Sequence, residues 1–374
     1  MVDLAFKTLW YDKPRFGITV AGVAFAVTLV LVQVGLFFGL LDNATVTIDH
    51  MPADLWVTPH NTPNIDFAQT FAETNVYRVR SVPGVARADN LTVAFIPINL
   101  PNGAKESTLC YAMEDFRRWG FPWDVIEGNL EQLTEGPYLL LDESSRRRFG
   151  PFATGQYREM LGQRFKIIGK TRGARSFTTT PVCFVDTKWV QDIVPEQRNK
   201  ASYIVAKLAP GLDPQAVKAE IRRRLPFNDV YTREEWSRRS RNYWVVSTGL
   251  GLNISVTVVL GILVGIVVVA QTLYASTMEH LKEYGTVKAI GGSNWDIYQI
   301  LFRQAGIAAV VGFVLALGPS FAMAPVMARL DLKLIISPVL LGIVFVATIA
   351  FCLASAAFSF RKVAGIDPAI VFRG

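Results

Sequence analysis

The sequence predicts an α-helical membrane protein with four transmembrane helices and a large α+β extracytoplasmic domain between the first and second. Three observations lead there. Apolar residues make up 51% of the 374-residue chain against 18% charged, which moves the expectation away from a pair of soluble domains. The apolar residues gather in four windows free of Lys, Arg, Asp and Glu, at 16–41, 243–273, 304–327 and 338–360. Each is long enough for roughly 30 Å of hydrocarbon, which about 20 helical residues cross. Between the first two windows, 42–242 alternates strand-like and helix-like segments and can bury a core of its own.

The opening segment 1–15, "MVDLAFKTLWYDKPR", puts Val2, Ala5, Phe6, Leu9 and Trp10 on one helical stripe, which predicts an interfacial helix along the inner leaflet. The first window follows a basic start, as an export signal does, but exceeds a signal core in length and reads as an uncleaved span. Lys7, Lys13 and Arg15 precede it; Lys282, Lys288 and Arg303 fall in the 274–303 loop; Arg361, Lys362 and Arg373 fall in the 361–374 tail. Only Arg329 and Lys333, with Asp331 between them, stand in the short 328–337 loop. The positive-inside bias therefore places both termini and the 274–303 loop in the cytoplasm, and 42–242 outside. A net charge of +7 is explained by this topology and a basic outer domain, so it points to membrane lipids and not to nucleic acid. Trp10 and Tyr11 on one side, with Trp236, Tyr243 and Trp244 on the other, are expected in the headgroup layers.

Within the spans, Gly35 and Gly39, and Gly261 and Gly265, are small residues one helical turn apart, a spacing that lets backbones approach closely. Pro319 and Pro325 are expected to kink or end the third span. With no charge inside the windows there is no proton or ion relay, so energy must come from elsewhere.

In the outer segment, "ADLWVTP" is a strand candidate, "FAQTFAETNVYRVRSV" carries helical periodicity up to Pro83-Gly84, and "VARADNLTVAFIPINL" alternates as a strand. "KESTLCYAME" pairs with it across Pro101-Asn102-Gly103, and "YLLLDESSRRRFG" is a strand entering a short helix. "QRFKIIGK" and "TTPVCFVD" are further strands, and "SYIVAKLAPGLDPQAVKAEIRRRLP" is a strand, a turn and a helix capped at Asp213 with Pro214 first. Gly169-Lys170-Thr171 looks like the end of a phosphate-binding loop, but Arg164 stands where that loop needs a glycine, so the fragment reads as a strand ending in a turn.

No Ser/His/Asp constellation, zinc spacing or carboxylate pair suggests catalysis or a cofactor, and His50, His60 and His280 are scattered. The clusters Arg146–Arg148, Arg222–Arg224 and Arg238–Arg241 read as a solvated or lipid-facing surface. Cys352 falls in the fourth span; Cys110 and Cys183 fall in the outer domain, where an oxidising compartment would let them pair, although sequence separation does not fix distance.

The segment "EYGTVKAIGGSNWDI" resembles the cytoplasmic loop of FtsX/MacB-type ABC transporter permeases, matching at Glu283, Gly285, Lys288, Ala289, Ile290, Gly291 and Ser293. Tyr284, Val287 and Gly292 depart from the usual isoleucine, leucine and alanine. The ending "RKVAGIDPAIVFRG" is also similar, and the order of one span, a large outer domain and three spans matches the family. "DNATVTIDHMPADLWV" further resembles the DevC-like branch.

The resemblance implies a non-catalytic permease whose ATP and Mg sit on a separate cytoplasmic ABC ATPase. It implies a homodimer, a mechanotransmission mode, and for the DevC-like branch a membrane-fusion adaptor, an outer-membrane duct and export of an amphipathic or lipid-like cargo. A signalling permease that activates a cell-wall hydrolase, and a lipoprotein-releasing permease, stay open as alternatives. The loop would hold the coupling helix: Glu279, Leu281, Glu283, Tyr284, Gly285, Val287, Lys288, Ala289, Ile290 and Gly291. Independently of the resemblance, Leu281, Tyr284, Val287 and Ile290 form a narrow apolar stripe flanked by charge, suited to a partner's groove, and Gly291-Gly292 lets the chain reverse after it.

Overall fold

The computed structural model describes residues 13–279, 286 and 293–363. The chain divides into two compact units, Leu40–Gly251 and the remainder, Met1–Gly39 with Leu252–Gly374. Along the chain, helix α1 (Lys13–Asn43) leads to the short α2 (Val46–His50), strand β1 (Leu55–Pro59), strand β2 (Phe71–Ala72) and α3 (Asn75–Arg80). Next come β3 (Val85–Asn99), β4 (Lys105–Met113), α4 (Phe116–Trp119), β5 (Val125–Glu127), β6 (Tyr138–Asp142) and α5 (Arg146–Phe149). Strands β7 (Tyr157–Met160), β8 (Gln163–Thr171) and β9 (Val182–Asp186) precede α6 (Thr187–Ile193), β10 (Lys200–Ala201) and β11 (Tyr203–Leu208). The outer unit closes with α7 (Pro214–Arg224), β12 (Asn228–Thr232) and α8 (Arg233–Asn242). Helices α9 (Leu250–Glu279), α10 (Asn294–Arg329) and α11 (Pro338–Val363) follow.

The outer unit is built on a 10-stranded mixed sheet in the order β12-β1-β11-β3-β4-β9-β6-β8-β5, with β7 on β3 and β8. Its longest strand, β3, pairs with β11 over Val85–Leu91 and with β4 over Thr92–Asn99, so one strand serves both halves of the sheet. The β3–β4 turn closes as Gly103 N–H donates to Leu100 O at 2.9 Å, with Gly103 at φ +81°, where glycine is unstrained. Helix α7 starts where Asp213 accepts the Gln215 N–H at 3.0 Å and Pro214 supplies a fixed φ. Helix α8 carries a reciprocal capping box between Thr232 and Glu235.

Two expectations for this unit need correcting. The periodic stretch 67–82 is helical only over Asn75–Arg80, whereas Phe71–Ala72 pairs with Lys200–Ala201. Just upstream, the Asn64 side-chain carbonyl accepts both the Asp66 and Phe67 N–H groups at 2.9 Å, a local turn that competes with helix. The Trp236 and Trp244 rings are packed in protein and do not present themselves to headgroups. Trp236 is fully buried, stacked on Tyr231 at 5.4 Å, and Trp244 is 6% exposed.

The second unit holds the remaining helical length. The candidate membrane-crossing helices are Lys13–Asn43, Leu250–Glu279, Ile297–Arg329 and Pro338–Ser359. The stretch from Tyr243 begins not as this helix but as a π-helical turn, Tyr243–Ser247, followed by Gly249 at φ +71°. Helix α10 runs through Pro319 and Pro325 without ending. Val23, Val27 and Leu31 of α1 share one buried cluster with Val269 and Leu273 of α9, Ala305 and Ala309 of α10, and Val344 and Phe351 of α11.

The glycines mark the closest approaches. A Cβ on Gly265 would meet Ala26 Cβ at 3.0 Å, and one on Gly261 would meet Leu29 Cδ2 at 3.0 Å, so both face α1. Gly35 and Gly39 face no helix; the extended segment after α10 lies on them, with Ile335 N–H donating to Gly35 O at 3.0 Å. Gly22 and Gly312 are as tight, a Cβ on them meeting Val268 and Val23; each stands four residues from an alanine, Gly22 before Ala26 and Gly312 between Ala308 and Ala316, small-residue spacings that a search for glycine pairs passes over. At Gly39 a Cβ would fall 1.7 Å from Lys333 O, a backbone atom that cannot swing aside. Gly39→Ala should therefore destabilise this unit by about 1–3 kcal/mol, the usual cost of overpacking. Gly342→Ala, with nothing within 4 Å, should not. Thermal unfolding of both variants in the same detergent checks this; equal midpoints would refute it.

Candidate functional site

The coupling residues divide between what the structure describes and what lies beyond it. Glu279 ends α9, and its carboxylate is paired with the Arg15 guanidinium near the start of α1. Both groups are partly solvated, so the pair orients the two helix ends more than it stabilises them. Leu281, Glu283, Tyr284, Gly285, Val287, Lys288, Ala289, Ile290 and Gly291 lie outside the described residues; Thr286 is helical and exposed, and α10 resumes at Asn294.

In the outer unit, the segment arriving from α1 and the segment leaving toward α9 are clasped together. Arg241 of α8 donates to Thr45 Oγ1 at 2.8 Å and to Asp49 Oδ2 at 2.9 Å, and the Ser237 hydroxyl donates to the other Asp49 oxygen. Arg239 donates to Thr62 O at 3.0 Å, so this basic cluster is structural and not only a solvated face. Beside the clasp, Ala44, Phe177 and Trp244 form a small core with Leu40, Leu41, Tyr243 and Leu250 packed on it. The Phe177 and Trp244 rings are stacked with centroids 3.8 Å apart and planes 11° off parallel. Phe67 lies 5.7 Å from Trp244 and 6.1 Å from Tyr243.

One polar group sits under this aromatic core. Asp66 is 3% exposed and accepts the Phe177 N–H at 3.2 Å. Burial pushes its carboxyl up to about 7, against the opposing pull of that N–H. The neighbouring Tyr111 and Tyr203 hydroxyls are raised by burial as well. The neutral Tyr203 hydroxyl holds the 64–67 loop, lying 2.9 Å from Ile65 O and 3.1 Å from Asn64 O, while Thr47 Oγ1 donates to the Tyr111 hydroxyl at 3.2 Å. Sequence reasoning missed Asp66 and Phe177 altogether, since an aspartate in a loop carries no sign of burial; Trp244 was visible as an aromatic but expected against headgroups, whereas it packs on Phe177.

Helices α1, α9 and α11 leave a cleft of about 310 Å³ among Val30, Phe38, Ile262, Ile343, Val344 and Phe351. Its lining is apolar apart from the Thr348 hydroxyl, which is spent on Val344 O at 2.7 Å. The phosphate-loop look-alike is a strand: Lys170 lies in β8, 7% exposed, with its ammonium donating to Glu127 at 2.9 Å.

Four apolar spans with a folded α+β unit inserted after the first define an integral membrane protein carrying an extramembrane domain. Two family descriptions match the chain: MacB-like periplasmic core domain over residues 16–224, more than half of it, and FtsX-like permease C-terminal over residues 255–368. The chain belongs to the FtsX/MacB-type family of ABC transporter permeases. Proteins named ABC transporter permease in Mycobacterium tuberculosis are 26% identical over 385 residues, covering 100% of both chains. One from Methanocaldococcus jannaschii is 21% identical over 352 residues, covering 89% of this chain and 86% of that one. Among solved structures, the chain is similar to the periplasmic region of MacB from Actinobacillus actinomycetemcomitans, with 9% identity, 50% of this chain and 92% of that one covered, and a TM-score of 0.41. It is also similar to the extracellular domain of the transporter YknZ from Gram-positive bacteria, with 12% identity, 48% and 98% covered, and a TM-score of 0.36. The family implies a partner ATPase and fits an inner-membrane protein.

Proposed function

We propose that this chain is the permease subunit of a mechanotransmission-type ABC transporter, working as a homodimer with a separate cytoplasmic ATPase that binds ATP and Mg. The observation that carries this reading is the clasp: Arg241, Asp49, Ser237 and Thr45 join the segments after α1 and before α9, so displacement of either span reaches the outer unit as movement of a single block. The apolar windows offer no charged path for a hydrophilic solute, which supports force transmission over a channel. Both termini lie in the cytoplasm and 42–242 in the periplasm, on the distribution of Lys and Arg. The cargo is an amphipathic or lipid-like molecule taken from the periplasm or outer leaflet. The cleft between α1, α9 and α11 supports this, since its lining suits hydrocarbon. A membrane-fusion adaptor and an outer-membrane duct complete the export path.

The stroke enters through 279–291. Gly285→Trp blocks close approach to the ATPase groove, and Glu283→Lys reverses a charge at the contact. Each should weaken association more than tenfold, a factor of ten being about 1.4 kcal/mol. Co-purification of the cognate ATPase with each variant, against a control substitution at Asn102 in the outer turn, tests this. Recovery of ATPase at the parent level in both variants would show that this segment rests on lipid and does not receive the stroke.

A further inference from the structure

The strands β4 and β9 run side by side and parallel, and their register pairs Cys110 with Cys183. Both side chains point into one buried cluster with Leu139, Leu141 and Val185, and they are 1% and 0% exposed. Neighbouring strands lie about 4.7–4.9 Å apart, inside the Cα separation of about 4.4–6.8 Å that disulfides span. We propose that Cys110 and Cys183 close an intrachain disulfide while the outer unit folds. The two thiols are then oxidised to one disulfide. The first thiolate attacks an incoming disulfide of the thiol-oxidase class, and the second displaces that carrier from the mixed disulfide. The carrier leaves as a dithiol with both electrons, and the two thiol protons end, by way of solvent, on its two sulfurs.

The place of this bond in the sheet gives it a purpose. In the order β12-β1-β11-β3-β4-β9-β6-β8-β5, the β4–β9 pairing is where the strands from the first part of the unit meet those of the lobe spanning α4 to β8. A staple there closes that entire excursion into a loop. The Cys110 thiol stands well above its ordinary range, first through its hydrogen bond with Cys183 and then through burial, so an oxidant finds no thiolate once the sheet has formed, and with both sulfurs buried a reducing thiol cannot reach the bond. The bond therefore has to form during folding and is protected afterwards.

The proposal rests on the periplasmic placement of 42–242. Full-length chain from membranes is quenched in acid, denatured and alkylated before and after reduction, and the peptides are weighed. The expected result is that Cys352 alone is alkylated before reduction and all three cysteines after it, with the 110 and 183 peptides joined in a monomer and lighter by two hydrogens. Cys110→Ser should free Cys183 for alkylation without reduction. In parallel, Asn102→Cys in a chain with Cys110→Ser and Cys183→Ser is treated with an impermeant thiol reagent on intact cells. If Asn102→Cys reacts from outside while Cys110 and Cys183 are alkylated without reduction, the disulfide is overturned and the placement stands. If Asn102→Cys reacts only after lysis and Cys110 and Cys183 are alkylated without reduction, the placement and the disulfide are both overturned.

Discussion

Asp66→Asn should remove a loss of stability that the parent chain suffers as pH rises from about 4 to about 7. The carboxyl stands at about 7 in the folded unit against an ordinary 3.8, so between these values the folded state holds a proton that the unfolded state releases. A raised carboxylate value means stability is greatest below the unfolded value and falls as pH approaches the folded one. Above it the full penalty applies, about 4 kcal/mol at about 1.4 kcal/mol per pH unit. Asparagine keeps an acceptor for the Phe177 N–H and carries no charge to desolvate. Its neighbours Tyr111 and Tyr203 are neutral across this range, their hydroxyls raised by burial, so no paired charge compensates the aspartate. The measurement is denaturant unfolding of the full chain in detergent, by tryptophan fluorescence, near pH 5 and near pH 8. The variant should gain on the parent as pH rises. Parallel pH profiles for the two chains would mean that Asp66 is ionised and solvated.

Trp244→Ala should cost about 3–5 kcal/mol, the range for emptying a large aromatic from a core. The ring fills the small core with Phe177 and Ala44, and on its removal neither Leu40 nor Tyr243 can follow, since both are tied to the segments that lead into helices. Trp244→Phe retains a partner for the Phe177 face and should lose far less. Limited proteolysis in membranes, mapped around 243–250, reads the local effect, while unfolding of the chain reads the global one. Equal resistance of Trp244→Ala and the parent would show that this stack is an ornament of the surface.

What the sequence made legible follows from how hard each physical demand is. Hydrocarbon tolerates no stray charge, so 338–360 could be read almost to the ends of Pro338–Val363. Alternation and Pro101-Asn102-Gly103 were enough for β3 and β4, and Asp213-Pro214 for the start of α7. Local signals misled where a distant partner decided. The helical period of 67–74 yields to the Asn64 turn and to β10, and Trp236 lies under Tyr231 because α8 packs on β12 and β1. The spacing of Gly35 and Gly39 announced a close approach but not its partner, because extended backbone fits a glycine groove as well as a helix does. For the site, the clasp had no sequence signature: Asp49 and Arg241 meet only because the two ends of a long insertion return to one place.

The pairing of β1 with β11 and β12 also sets a schedule. Leu55 waits for Ala206 and Thr232, which a ribosome working at about 5–20 residues per second delivers roughly 10–30 s later. During that interval "LWVTP" has left the ribosome with neither of its backbone rims satisfied and with side chains that end up buried to the last residue. Such a segment is a template for any passing strand. Biogenesis of this chain is thus most exposed to aggregation early, in the interval when β1 has been made and its partners β11 and β12 have not.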